Sequence, residues 1–228
     1  MSPAALTPVT ATTLSPFHYH SLAVPGGTAT LSTFMADRSV AYGLAGAMGA
    51  LAASTALPRK DYRRDLHRLP WLASMFEARN PRLMKPLGRR LTLDAEGGAP
   101  KRVSDATGSG NLKDWFFIQE VPPGVIYEGA VFGPDPFAMA SEIEGKLVKA
   151  IVMRTGRHLG GLIRLEKRAG SEAPLRLNAH TAWLFGHDVA GDERLALDVF
   201  ALHDIQVTVP IALREAAGIV GSWRAFAA

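Results

Sequence analysis

Apolar and polar positions alternate over residues 17–24 (FHYHSLAV), the two-residue period of a strand with one buried face, and Pro25-Gly26-Gly27 closes it as a turn. Residues 28–34 (TATLSTF) predict a second extended segment. The stretch before them, residues 1–16, is rich in Ser, Thr, Pro and Ala and reads as a flexible lead-in. Asp37 then predicts the cap of a helix over about 38–53. Gly43, Gly46 and Gly49 recur in it at every third position, a pattern that fits close approach to another backbone or a tightly packed core helix.

The periodicity breaks down between 58 and 113. Pro58, Pro70, Pro81, Pro86 and Pro100 interrupt it, a short helix fits around 71–79, and 96–110 (EGGAPKRVSDATGSG) has the composition of a loop. Downstream, the pattern predicts strands over 114–121, 125–132, 147–154, 161–167, 179–185 and 205–211. A short helix over 136–145 follows Asp135 as its cap, and 212–217 fits a terminal helical turn. Strands outnumber helices, so the fold class is α+β, with residues 17–228 as one domain carrying a basic, loop-rich insertion at about 58–113 and additional C-terminal strands. No repeat and no heptad run is present.

Composition narrows the class. A chain of 228 residues can bury a core without staples, and 47% hydrophobic with 20% charged residues describes a globular protein rather than a disordered one. With no cysteine there is no disulfide, thiolate nucleophile, iron–sulfur cluster or Cys-bound zinc. The most apolar stretch, 40–53, is short of the roughly 20 residues a spanning helix needs. No basic residue precedes an apolar run at the start, which is not the pattern of a secretory signal, so a cytoplasmic protein without membrane contact is expected.

The net charge of +4 is unevenly placed. Residues 59–113 carry thirteen Lys and Arg against six acids, whereas residues 114–228 carry eleven basic against fourteen acidic residues. A basic block of this kind points to a polyanion, because each neutralised phosphate releases counterions. Tyr62, Trp71 and Phe76 lie within the block, where they either stack on unpaired bases or belong to the core.

Catalytic patterns are scarce. His18 and His20 share one face of the first predicted strand, while His158, His180, His187 and His203 are scattered. Asp61/Asp65 and Glu142/Glu144 read as surface pairs, and the sequence has no nucleophile elbow, phosphate-binding Walker loop or zinc-protease motif. No catalytic residue, metal or cofactor is therefore expected. The most informative local element is RTGRHLGG at 154–161, where Arg154, Arg157 and His158 surround three glycines between two apolar strands. Exposed amides in such a segment bind phosphate, though an ordinary basic hairpin turn has the same composition.

An early strand, the segment FMADRSVAYGLAGAMGAL with its D-x-x-x-A-Y-x-L pattern, a long basic insertion and the late RTGRHLGGLIRL segment together resemble the Cas five-type subunits of Class 1 CRISPR effector complexes. The likeness spans about residues 17–167 and is greatest to the type I-D version, with type IV second. It implies a ferredoxin-like, RRM-type domain of the RAMP superfamily with an antiparallel sheet. The insertion would be a thumb-like element, and the subunit would grip the 5′ handle of the CRISPR RNA without cutting it and cap the backbone of the complex. Its partners would be that RNA, the backbone subunits and the large subunit, with target DNA met indirectly. The expected RNA contacts are Arg38, Arg59, Lys60, Arg63, Arg64, Arg68, Arg89, Arg90, Lys101 and Arg102, with Arg154, Arg157 and His158 near the handle. Two alternatives remain: a metal-independent repeat endoribonuclease using His18 or His20 as general acid–base, and an enzyme outside CRISPR whose basic block binds an anionic metabolite.

Overall fold

The structure is a computed structural model that describes residues 4–18, 22–24, 27–51, 62–90, 115–155, 161–170, 172–201 and 204–225. Its central strand is β1, Leu6–Thr13, which lies between β9 (Ile126–Phe132) and β11 (Gly161–Lys167) and is antiparallel to both. Residues 6–13 therefore belong to the heart of the sheet rather than to a flexible lead-in, with Val9 and Ala11 fully buried. The Thr-rich alternation LTPVTATT is a strand with small buried side chains, and Pro8 conceals it. Pro8 is tolerated because of where its edge points. Its carbonyl accepts from the Arg168 amide at 3.0 Å, on the β11 side, and its missing N–H faces the same way, beyond the last ladder pair Val9↔Lys167.

The main sheet has the strand order β10 (Ala150–Thr155), β11, β1, β9, β6 (Phe76–Ala78), β4 (Phe34–Met35), and β5 (Leu72–Ala73) also pairs with β9. Helix α1 (Asp37–Ala47) connects β1 to the β5–β6 edge, and helix α3 (Pro136–Glu144) follows β9 on the way to β10 and β11. Counting β5–β6 as one strand, the chain runs β1-α1-β6-β9-α3-β11 with spatial order β11-β1-β9-β6, all neighbours antiparallel. That is the ferredoxin-like βαββαβ arrangement, with β10 added at one edge. The 58–113 stretch is consequently divided. Helix α2 (Tyr62–Arg68), β5 and β6 belong to the main domain, where a single insertion was expected. Trp71 and Phe76 are fully buried, and Trp71 Nε1 donates to the Pro134 carbonyl at 2.8 Å, so both are core residues, in strands where a helix was expected.

Two smaller sheets attach to this body. One has the order β2 (Leu22–Val24), β3 (Gly27–Ala29), β8 (Trp115–Gln119), β7 (Leu87–Arg90), and the other is the hairpin β12 (Leu197–Ala201) with β13 (Ile205–Thr208). Residues 179–184 form helix α4 instead of the expected strand, since the Asn178 side chain accepts from the His180 amide and Gly186, at φ 79°, stops it. The C-terminal helical turn extends to α5, Leu213–Ala225.

The three glycines of α1 have three different reasons. A Cβ on Gly43 would lie 2.5 Å from the Arg154 carbonyl oxygen, so the helix touches the edge strand there. Gly46 meets only ordinary contact at 3.5 Å. Gly49, at φ 69°, ends the helix early: its amide donates to Gly46 and the Ala50 amide donates to Ala45, the paired bonds of a Schellman motif. This is why α1 stops at Ala47 rather than near residue 53.

Asp37 is the first residue of α1, not its cap, and its carboxylate is buried. It accepts from Asn178 Nδ2 at 2.9 Å and from Thr181 Oγ1 at 2.5 Å. Asn178 Oδ1 in turn accepts from the Gln206 amide at 3.1 Å. One carboxylate thus ties α1, α4 and β13 together.

Two outcomes follow in unfolding experiments. Gly43→Ala should destabilise by about 1–3 kcal/mol through overpacking against Arg154, whereas Gly46→Ala should stabilise by up to about 1 kcal/mol. Asp37→Ala, which strands two buried donors, should cost on the order of 2–4 kcal/mol in urea titration.

Candidate nucleic-acid interface

The outward face of the main sheet is a lattice of matched charges. The register sets Glu166, Thr10, Glu128 and Glu77 in one row across β11, β1, β9 and β6. Each carboxylate has a basic partner: Arg164 for Glu166 at 3.1 Å, Arg168 at 2.6 Å together with Arg79 for Glu128, and Arg176 for Glu77 at 3.2 Å. Partial burial pushes the Glu128 carboxyl up, but hydrogen bonds from Arg79 and Arg168 outweigh it and hold the group below its ordinary value. No aromatic residue stands among Thr10, Thr12, Val152, Arg154, Leu162, Arg164, Glu166 and Glu128. Bases have no stacking surface on this part of the face.

At the β10–β11 end of the sheet the chemistry changes. Arg154 is exposed on β10 and makes no ion pair among the described residues. The strand after it closes on Gly161, where a Cβ would lie 2.1 Å from the Thr155 carbonyl oxygen and 2.7 Å from the Phe17 Cβ. Packing alone therefore demands this glycine. Phe17 is buried and bridges to Val121 through paired amide–carbonyl bonds at 3.2 and 2.9 Å. His18, next to it, is buried with Nδ1 3.6 Å from Glu120 Oε1. The flanks of the 154–161 element and the end of β8 thus meet at one corner.

β8 leads from that corner into the second sheet, between β3 (parallel) and β7 (antiparallel). Its Ile118 is buried, while Phe117 is 47% exposed. Residues 79–90, which end in β7, hold Arg79, Arg82, Lys85, Arg89 and Arg90 and no acid. Arg79 is committed to Glu128, Arg82 Nη2 donates to the Pro123 carbonyl at 3.2 Å, and Lys85 is exposed with no ion pair.

The expected RNA contacts fall into three groups. Arg38 donates from Nη2 to Asp204 Oδ2 at 2.7 Å and is mostly buried, and Arg64 pairs with Asp65 at 2.7 Å. Asp65 itself is buried, in contrast to the surface carboxylate expected. Arg63 lies on α2, Arg68 is exposed at the end of that helix, Arg89 and Arg90 lie on β7, and Arg154 lies on β10. Arg59, Lys60, Lys101, Arg102, Arg157 and His158 lie outside the described residues, as does His20. The remaining described histidines serve packing or ion pairs. His67 meets Phe185 edge-on at 4.4 Å, His180 lies against Trp183, and His187 Nε2 is 3.0 Å from Asp192 Oδ2. Among the described residues no three His, Asp or Glu side chains gather as a metal site, and no helix is long and apolar enough to cross a membrane.

No family model matches the sequence, and no curated protein matches it. Among solved structures, the chain is similar to one in the cryo-EM structure of the Type III-B Cmr-beta bound to cognate target RNA and AMPPnP. Identity is 12%, the TM-score is 0.41, and the match covers 94% of this chain and 88% of that one. The strand order described above, not this likeness, fixes the ferredoxin-like fold.

The Glu128 ion pairs yield a pH dependence. Because the folded carboxyl titrates below its unfolded value, its contribution is present above the ordinary glutamate value of about 4.3 and fades as pH falls below it. Glu128→Gln should therefore be less stable than the parent near neutral pH, with the difference closing in melts below about pH 4.

Proposed function

We propose that this chain is a non-catalytic RNA-binding subunit of a Class 1 CRISPR interference complex, one that grips the 5′ handle of the CRISPR RNA and caps the complex backbone. The observation that carries the reading is the segregation of charge. On the main sheet the arginines are matched by acids, whereas residues 79–90 and Arg154 leave basic groups without acidic partners beside one corner of the fold. Basic groups that no acid neutralises are the ones whose binding to phosphate releases counterions. The ferredoxin-like order supports the resemblance of the sequence to the Cas five-type subunits, of which the type I-D version is the nearest. Contacts with backbone and large subunits belong to the same proposal, and target DNA would be met through the guide.

His18 is placed poorly for the endoribonuclease alternative, since a general acid–base must reach within hydrogen-bond distance of the reacting group and this ring is buried against Glu120.

Co-purification from the native host with sequencing of bound RNA tests the proposal. One class of short RNA sharing a constant 5′ end is expected, and recovery of no RNA overturns the reading. In vitro, the triple variant Arg82→Ala/Lys85→Ala/Arg154→Ala should weaken single-stranded RNA binding. It should also lower the salt slope by up to about 2, roughly 0.7 per lost phosphate contact.

A further inference from the structure

The second sheet holds a feature that the charge argument does not use. Phe117 stands near half-exposed on β8, an inner strand of that sheet. An aromatic ring on an inner strand is ordinarily flanked by side chains from the strands on either side. Here both in-register neighbours are glycines, Gly27 on β3 and Gly88 on β7. Strands lie about 4.8 Å apart, so the row Gly27–Phe117–Gly88 forms a floor roughly 10 Å across on which the ring is the only side chain. That width suits a nucleobase. The two-residue period puts position 115, a tryptophan, on the same face, and its in-register partner across to β7 is Arg90. The face therefore joins aromatic positions to the most basic strand, a combination suited to a base with a phosphate attached.

We infer that Phe117 is a stacking platform for an unpaired base of single-stranded RNA, with the glycines at 27 and 88 keeping the ring open on both sides. This deepens the functional reading above and rests on it. The main sheet, where domains of this shape usually stack bases, presents paired charges along its Glu166–Thr10–Glu128–Glu77 row, so base contact is displaced onto the smaller sheet. Substituting either glycine with a branched residue would wall the platform.

Fluorescence anisotropy with the full chain tests this, using a short oligoadenylate RNA and an abasic strand of the same length. Phe117→Ala should weaken oligoadenylate binding about 5- to 100-fold and leave the salt slope unchanged, since stacking releases no counterions. Phe117→Trp should retain binding, and the abasic strand should bind the parent and Phe117→Ala alike. Gly88→Val should reproduce the loss with the aromatic still in place, and thermal melts confirm that each variant folds. Equal binding of oligoadenylate by Phe117→Ala and the parent overturns the platform. If the parent then still binds both strands with a steep salt slope, the RNA-binding reading stands and only the stacking site falls. Failure of the parent to bind either strand overturns both.

Discussion

Everything C-terminal to β11 is fastened to the βαββαβ core through one buried carboxylate. Asp37 begins α1, and Asn178 and Thr181 donate to it from the start of α4. Asn178 uses its remaining groups to cap α4 and to hold the Gln206 amide of β13. Arg38, the next residue, clamps Asp204 before β13. A buried carboxylate is tolerable only when its oxygens are satisfied, so the geometry of α1, α4 and β13 is set jointly. The position of α1 fixes more than its own packing. Gly43 lets it lie against the Arg154 carbonyl, and Arg154 is on the strand that opens the basic corner. The latch on one side of the helix and the contact on the other hold that edge strand in place.

The sequence showed where basic residues cluster but not which of them are free. Arg38 and Arg64 look identical to Arg68 and Arg154 in a string of letters, yet the first two have acidic partners within 2.7 Å. Asp204, the partner of Arg38, lies far away along the chain. Such pairing is a tertiary fact, and it reduces the candidate interface to residues 79–90, Arg68 and Arg154 among those described. Exposed ion pairs contribute little to stability one at a time. Their consequence here is electrostatic: the outer face of the main sheet offers a polyanion little net charge, and the corner at Phe17 and Val121 offers more.

Elements with strong local signals were legible. β11 falls at the expected 161–167, and α3 is capped by Asp135 and stopped by Gly145, with φ 66°, as the letters imply. The misreadings share a cause, in that local composition was overruled by a partner distant in sequence. β1 looks like a loop because of Pro8, until the register with β11 shows that no amide is needed there. Residues 179–184 alternate acceptably for a strand, but the Asn178 cap and the burial of Ala179 and Ala182 make them a helix. Trp71 and Phe76 were candidates for stacking because they sit among basic residues, and the core claimed them.

Phe117 illustrates the reverse case. WFFIQ is an unremarkable apolar strand, and nothing local distinguishes Phe117 from its neighbour Phe116 or from the buried Ile118. What singles it out is the identity of two residues about 90 and 30 positions away, both glycines, brought into register by a parallel pairing on one side and an antiparallel pairing on the other. Side chains at 27 and 88 would have turned the same ring into ordinary cross-strand packing. An aromatic that the fold leaves uncovered on an inner strand has lost the burial that usually justifies its presence. Its exposure beside a basic strand is therefore best explained by a flat partner that supplies the missing contact from outside.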